Sequence, residues 1–138
     1  MADYSVKRLD ELDSTFGGVA KRARASLGAS AFGMQVFDLP PGFDQYPNHD
    51  HIEDATDGSV EQEEVYVPLA GGGTLRVGGR EHRLEPGVLA RVGPEEKRQI
   101  VPGPEGIRVL CLGGVPGKAY EPPPWTEIGA APPQPPPR

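Results

Sequence analysis

Cysteine is almost missing from this chain. Cys111 is the only one in 138 residues. No intrachain disulfide can form, and a lone thiol without an export signal fits a reducing cytoplasm. The first residues, MADYSVKRLDELD, are polar and lack the apolar core of a signal peptide. No run approaches the roughly 18 apolar residues needed to span a bilayer. Basic charge is also in short supply, since 20 acids face 14 Lys and Arg for a net charge of −6. That excludes the basic patch a nucleic-acid partner would require. No Ser/His/Asp set, CxxC pair or phosphate-binding glycine loop is present, and the glycines of GGGTLRVGG read as turns. Histidine is rare, yet two of the three stand one residue apart at 49 and 51.

Glycine (19) and proline (17) are abundant, which favours a turn-rich β protein over a helical bundle. Residues 1–31 form an approach segment. In it, Val19, Ala20, Ala23 and Leu27 share one face of a helix predicted over about 19–27, with Gly28 as its left-handed stop. Lys21, Arg22 and Arg24 fall off that face and read as a solvated surface. Residues 32–114 hold seven or eight short strands. Phe32–Leu39 alternates, and Phe43–His51 is a further strand kept to an edge or bend by Pro47. Glu64–Leu69 is turned by Gly71-Gly72-Gly73 into Thr74–Val77, and Gly78-Gly79 makes a two-residue hairpin into Arg80–Leu84. Val88–Val92, Lys97–Val101, a turn at Pro102-Gly103-Pro104 and Ile107–Leu112 complete a predicted sandwich or barrel. Residues 115–138 form a proline-rich extended tail, with Trp125 as its one anchor.

The acidity is local. Between Asp44 and Glu64 lie eight acids and no Lys or Arg, while the rest of the chain is nearly neutral. Most of these acids, with Asp57-Gly58 as a turn, read as a solvated loop. His49 and His51 sit at period two, so on a strand both rings face the same side.

At this point the residues resemble the cupin superfamily, small jelly-roll barrels that often carry one metal. The first cupin motif is a Gly, His-x-His, Glu, six residues and a Gly. Here it is matched by Gly42, His49-Asp50-His51, Glu64, VYVPLA and Gly71. Glu63 does not fit the spacing. Gly87 followed by VLARV and Gly93-Pro94 resembles the first half of the second motif. There are three departures, the first a trivial slip in which six residues instead of five separate Gly42 from His49. Twelve residues separate His51 from Glu64 where three or four are usual, and Arg98 occupies the position of the second motif's histidine. The likeness covers about residues 32–114 and is nearest to small single-domain barrels of unassigned function. It implies an all-β double-stranded β-helix, a homodimer, and one divalent metal (Mn, Fe, Co, Ni or Zn) on His49, His51 and Glu64. Two imidazoles and a carboxylate form a facial triad with open positions for a ligand.

Arg98 carries a permanent charge and cannot be a ligand. It could clamp an anionic small molecule beside the metal, replace the metal by pairing with Glu64, or point outward. Tyr66 shares the face of Glu64 and could donate a proton or simply fill the barrel. Gln35 and Gln99 face either the cavity or solvent. His82 reads as a surface hairpin residue and Cys111 as a packed thiol. Two functions follow: a metalloenzyme of dioxygenase or isomerase type with Arg98 orienting an anionic substrate, or a non-catalytic ligand sensor or storage barrel, metal-free if Arg98 pairs Glu64. A third is a partner-binding protein that uses the proline-rich tail.

Overall fold

The computed structural model describes residues 2–55 and 58–131. Asp57 and the final PPQPPPR lie outside the described residues, so the predicted Asp57-Gly58 turn and the end of the tail are not addressed. The elements in chain order are β1 (Ser14–Thr15), β2 (Ala20–Lys21), α1 (Ala23–Leu27), β3 (Gly33–Leu39), β4 (Glu63–Val77), β5 (Arg80–Leu84), β6 (Ala90–Val92) and β7 (Arg98–Gly114). Short 3-10 turns at Leu9–Glu11, Phe16–Gly18 and Pro124–Thr126 join them. Every pairing is antiparallel, in the order β1-β2-β3-β7-β4-β5 with β6 also on β4. The result is an all-β jelly-roll barrel with one short helix.

Two long bent strands, β4 and β7, form the backbone of the barrel. They pair from Glu63↔Gly114 to Val77↔Arg98, with register shifts at Pro68/Ala70 and Gly71/Gly73. The sequence suggested turns at Gly71–Gly73 and at Pro102–Pro104, but both strands run straight through. The glycines serve a different purpose. Gly71 has φ +71, and a Cβ there would run into the Gly106 carbonyl; a Cβ on Gly73 would meet the Val101 carbonyl. Glycine thus permits a bulged corner where β4 and β7 cross closely. The Gly78-Gly79 hairpin is as expected, with φ +60 and +72, the positive pair that a type I′ turn requires.

Three other expectations change. The predicted strand over Phe43–His51 reduces to an isolated bridge, His49↔Arg98. Val88–Val92 shortens to β6. The helix begins only at Ala23, because Ala20 and Lys21 pair with Phe37 and Val36 of β3. Gly28 ends it at φ 79, as read.

The barrel interior follows from strand alternation. Gln35, Phe37 and Leu39 share the inward face of β3. Phe37 and Leu39 meet Tyr66, Leu75, Ile100, Val109 and Cys111 in one cluster. Gln35, Cys111 and Tyr66 are register partners across β3, β7 and β4, and so lie in one row.

Candidate metal centre

The site is assembled by backbone pairing. His49 and Arg98 exchange both backbone bonds, N to O at 3.0 and 2.8 Å, which sets them directly opposite. Cross-strand partners project to the same face, so the Arg98 side chain enters the barrel beside the histidines. The His51 amide donates to the Pro94 carbonyl at 2.8 Å and fixes the second histidine. Glu64 and Tyr66 come from the N-terminal end of β4, two residues apart on its inward face. Asp50 points away between the histidines. Its Oδ1 accepts the amides of Ile52, Glu53 and Asp54 at 2.7–2.9 Å and starts the acidic loop.

Glu64 is the hub. Its Oε1 accepts from His51 Nε2 (2.8 Å), the Tyr66 hydroxyl (2.8 Å) and Arg98 Nη1 (2.7 Å). Its Oε2 accepts from Cys111 Sγ at 3.0 Å. Burial alone would raise the carboxyl, but the hydrogen bond and charge of His51, with Cys111 and Tyr66, outweigh it and hold the pKa at about 2. Its donors respond in the opposite sense. Burial, then the Glu64 charge, pushes the Tyr66 hydroxyl and the Cys111 thiol well above their ordinary values. Both are therefore neutral donors at pH 7.

Arg98 is 0% exposed. Its Nε donates to the Glu96 carbonyl at 2.9 Å, Nη1 to Glu64, and Nη2 to the Gly93 carbonyl. The outward-pointing option is thereby excluded. All three nitrogens are engaged within the chain.

The histidines differ in setting. His49 Nδ1 lies 2.9 Å from the Pro47 carbonyl. A carbonyl only accepts, so Nδ1 carries the proton and Nε2 presents a lone pair. Burial lowers the His49 pKa and keeps the ring neutral, the form a metal needs. His51 Nδ1 contacts Ser59 Oγ at 2.5 Å. A hydroxyl can donate or accept, so the Ser59 contact is compatible with either ring tautomer. His49, His51 and Glu64 each offer a ligand atom, all within 4.8 Å of one another. Donors bound at about 2.1 Å to one ion and at right angles stand about 3 Å apart. The His51–Glu64 contact matches that edge, and a closing movement of the widest separation in the set would let the three donors hold a metal.

Sequence reasoning brought together His49, His51, Glu64, Tyr66 and Arg98, and the structure places all five around one point. It did not single out Ser59, Tyr46 or the site role of Cys111. Tyr46 is buried against Phe37 and His49, with ring centroids 5.7 and 5.8 Å away. Register alone puts Cys111 opposite Tyr66, and no local signal marks it. His82 is exposed in the hairpin, as read. Glu63 pairs with Arg91 at the surface at 2.9 Å and stays outside the site. Gln99 donates to the Tyr46 carbonyl at 3.2 Å.

No family model matches the sequence, and no curated protein matches it. Solved structures do. A cupin protein from Bacteroides fragilis is 25% identical over 88% of this chain and 92% of its own, with a TM-score of 0.64. A Cupin 2 conserved barrel domain protein from Salinispora arenicola is 18% identical over 61% of this chain and 63% of its own, at 0.50. A DMSP lyase from Ruegeria pomeroyi is 24% identical over 66% of this chain and 42% of its own, at 0.51.

Proposed function

Starting from a chain with the cupin fold, we propose that the barrel binds one divalent metal through His49, His51 and Glu64 and acts on a small molecule held there. The observation that carries this reading is the support behind the histidines. Each Nδ1 is tied to an oxygen, Pro47 carbonyl or Ser59 hydroxyl, so each ring is oriented from behind. The metal would supply Lewis acidity and an open coordination position. The chain's own residues do the rest. Tyr66, neutral and hydrogen-bonded to Glu64, is a proton donor in reach of the site. Arg98 adds a positive charge that favours an anionic ligand, although its nitrogens are taken by Glu64 and two backbone carbonyls and do not form a free clamp. Isomerase- or dioxygenase-type chemistry at such a site is a suggestion from fold analogy. A cytoplasmic homodimer is part of the same proposal.

A second reading rests on a specific observation. Glu64 already has a guanidinium at 2.7 Å, so its charge is compensated without metal. In that case the barrel is a metal-free sensor or storage module. Metal analysis of untagged protein grown with Mn, Fe, Co, Ni and Zn separates them. The first reading expects about one ion per chain, lost in His49→Ala and Glu64→Ala. No metal in the wild type refutes it in favour of the second.

A further inference from the structure

The C-terminal segment does more than trail from the barrel. Arg22, 2% exposed, sends Nε to the Trp125 carbonyl (2.9 Å), Nη2 to the Ala130 carbonyl (2.6 Å) and Nη1 to Asp13 (2.7 Å). Arg24, 7% exposed, reaches Glu127 at 2.8 Å. The Trp125 ring stacks edge-on against Phe16 at 6.2 Å. Two buried arginines read from sequence as a solvated face are in fact the anchors of this segment. Arg22 is the N-cap residue of the helix and Arg24 lies in its first turn; the helix is too short to stand alone, and both arginines are buried.

The same segment also reaches the acidic loop. Pro123 and Pro124 lie 3.4–3.5 Å from where a Cβ on Gly58 would stand, and Gly58 has φ +91. Lys118 Nζ meets Glu61 at 2.7 Å. Between these two contacts sits Ser59, 5% exposed, with Oγ against His51 Nδ1. The Glu61 amide returns to the His51 carbonyl at 2.8 Å. The C-terminal segment therefore lies beside Gly58 and contacts Glu61, on either side of the residue that orients His51.

We propose that Lys118–Ala131 is a strap that presses Ser59 onto His51 and so sets the metal affinity of the centre. Among the described residues between His51 and Glu63 there is no strand, and the strap lies against this loop. Arg22, Trp125 and Ser59 are then positioning residues that act on the site through His51. The affinity effect rests on the metal reading above, whereas the mechanical link does not.

The test uses full-length Trp125→Ala and Arg22→Gln, with Ser59→Ala as a reference. Three readouts are taken: deuterium uptake at the amides of Ser59–Gln62, the His51 ring nitrogen shifts, and Co²⁺ affinity. Freeing the strap is expected to speed exchange at Ser59–Gln62 at least about 10-fold, with β3 and β7 unchanged, and to move the His51 shifts toward those of Ser59→Ala. Co²⁺ binding should weaken roughly 10- to 100-fold, the usual effect of losing an outer-shell partner. Unchanged exchange and unchanged His51 shifts would overturn the strap, as would faster exchange with unaltered Co²⁺ affinity. If wild type takes up no Co²⁺, the metal reading alone fails, and exchange with the ring shifts still decides the mechanical link. Should Arg22→Gln fail to fold, Trp125→Ala carries the test.

Discussion

Replacing Arg98 by Met tests the electrostatic centre of the barrel directly. The guanidinium is fully buried and 2.7 Å from a carboxylate whose side chain is 13% exposed. At an effective dielectric of about 20 the gross attraction is roughly 6 kcal/mol. Desolvation of both ions offsets much of that, but removing one partner strands the other, at a cost of about 3–5 kcal/mol. Gly93 and Glu96 carbonyls lose their donor as well. Unfolding entropy near 2.1 cal/mol/K per residue gives this chain about 0.29 kcal/mol/K, so Arg98→Met should lower Tm by roughly 10–17 °C. Thermal unfolding at pH 7 in chelator measures it. Arg108→Met is the control, because Arg108 and Asp38 form a pair of similar length, 2.8 Å, at 37% and 36% exposure. That pair should be worth under about 1 kcal/mol, or about 3 °C. If both substitutions shift Tm equally, Arg98 is not the counter-ion of a buried charge. Under the metal reading, Co²⁺ should raise the Tm of Arg98→Met more than that of wild type, because the ion takes over compensation of Glu64.

Two other outcomes follow from the geometry. Glu64 is held at about 2 against an ordinary 4.5, a depressed carboxyl, so its stabilisation is full above about pH 4.5 and fades as pH falls toward 2. The linkage amounts to roughly 3 kcal/mol. Urea unfolding should show the gap between wild type and Glu64→Gln narrowing below about pH 4.5 and closing as pH falls through about 2, and a gap that does not narrow over that range would refute the assignment. Gly71→Ala should destabilise by at least about 3 kcal/mol, since positive φ and the Gly106 carbonyl both oppose a Cβ. A loss under about 1 kcal/mol in the same assay would mean the β4 corner relaxes freely.

Much of the site was legible because its signals are local. Period two put His49 and His51 on one side, and the six residues between Glu64 and Gly71 picked Glu64 over Glu63. The hairpin at Gly78-Gly79 was readable because only glycine accepts two positive φ values cheaply. The misreadings share one cause. Gly71–Gly73 and Pro102–Pro104 look like turns in isolation, yet each is the corner of a long strand whose shape is imposed by the strand it crosses. Arg22 and Arg24 look solvated until a segment about a hundred residues later covers them.

The sequence by itself determined the kind of centre: which side chains can hold a cation, and that an arginine stands where a fourth ligand was expected. Tertiary structure decided how that arginine is used. Backbone pairing of His49 with Arg98 turns the guanidinium inward, and once inside a buried cation must find its carboxylate and carbonyls. Register alone brought Cys111 to Glu64, and packing alone brought the C-terminal segment to the loop behind His51. Contacts between residues so far apart along the chain leave no periodic trace in it, so only the folded barrel could reveal them.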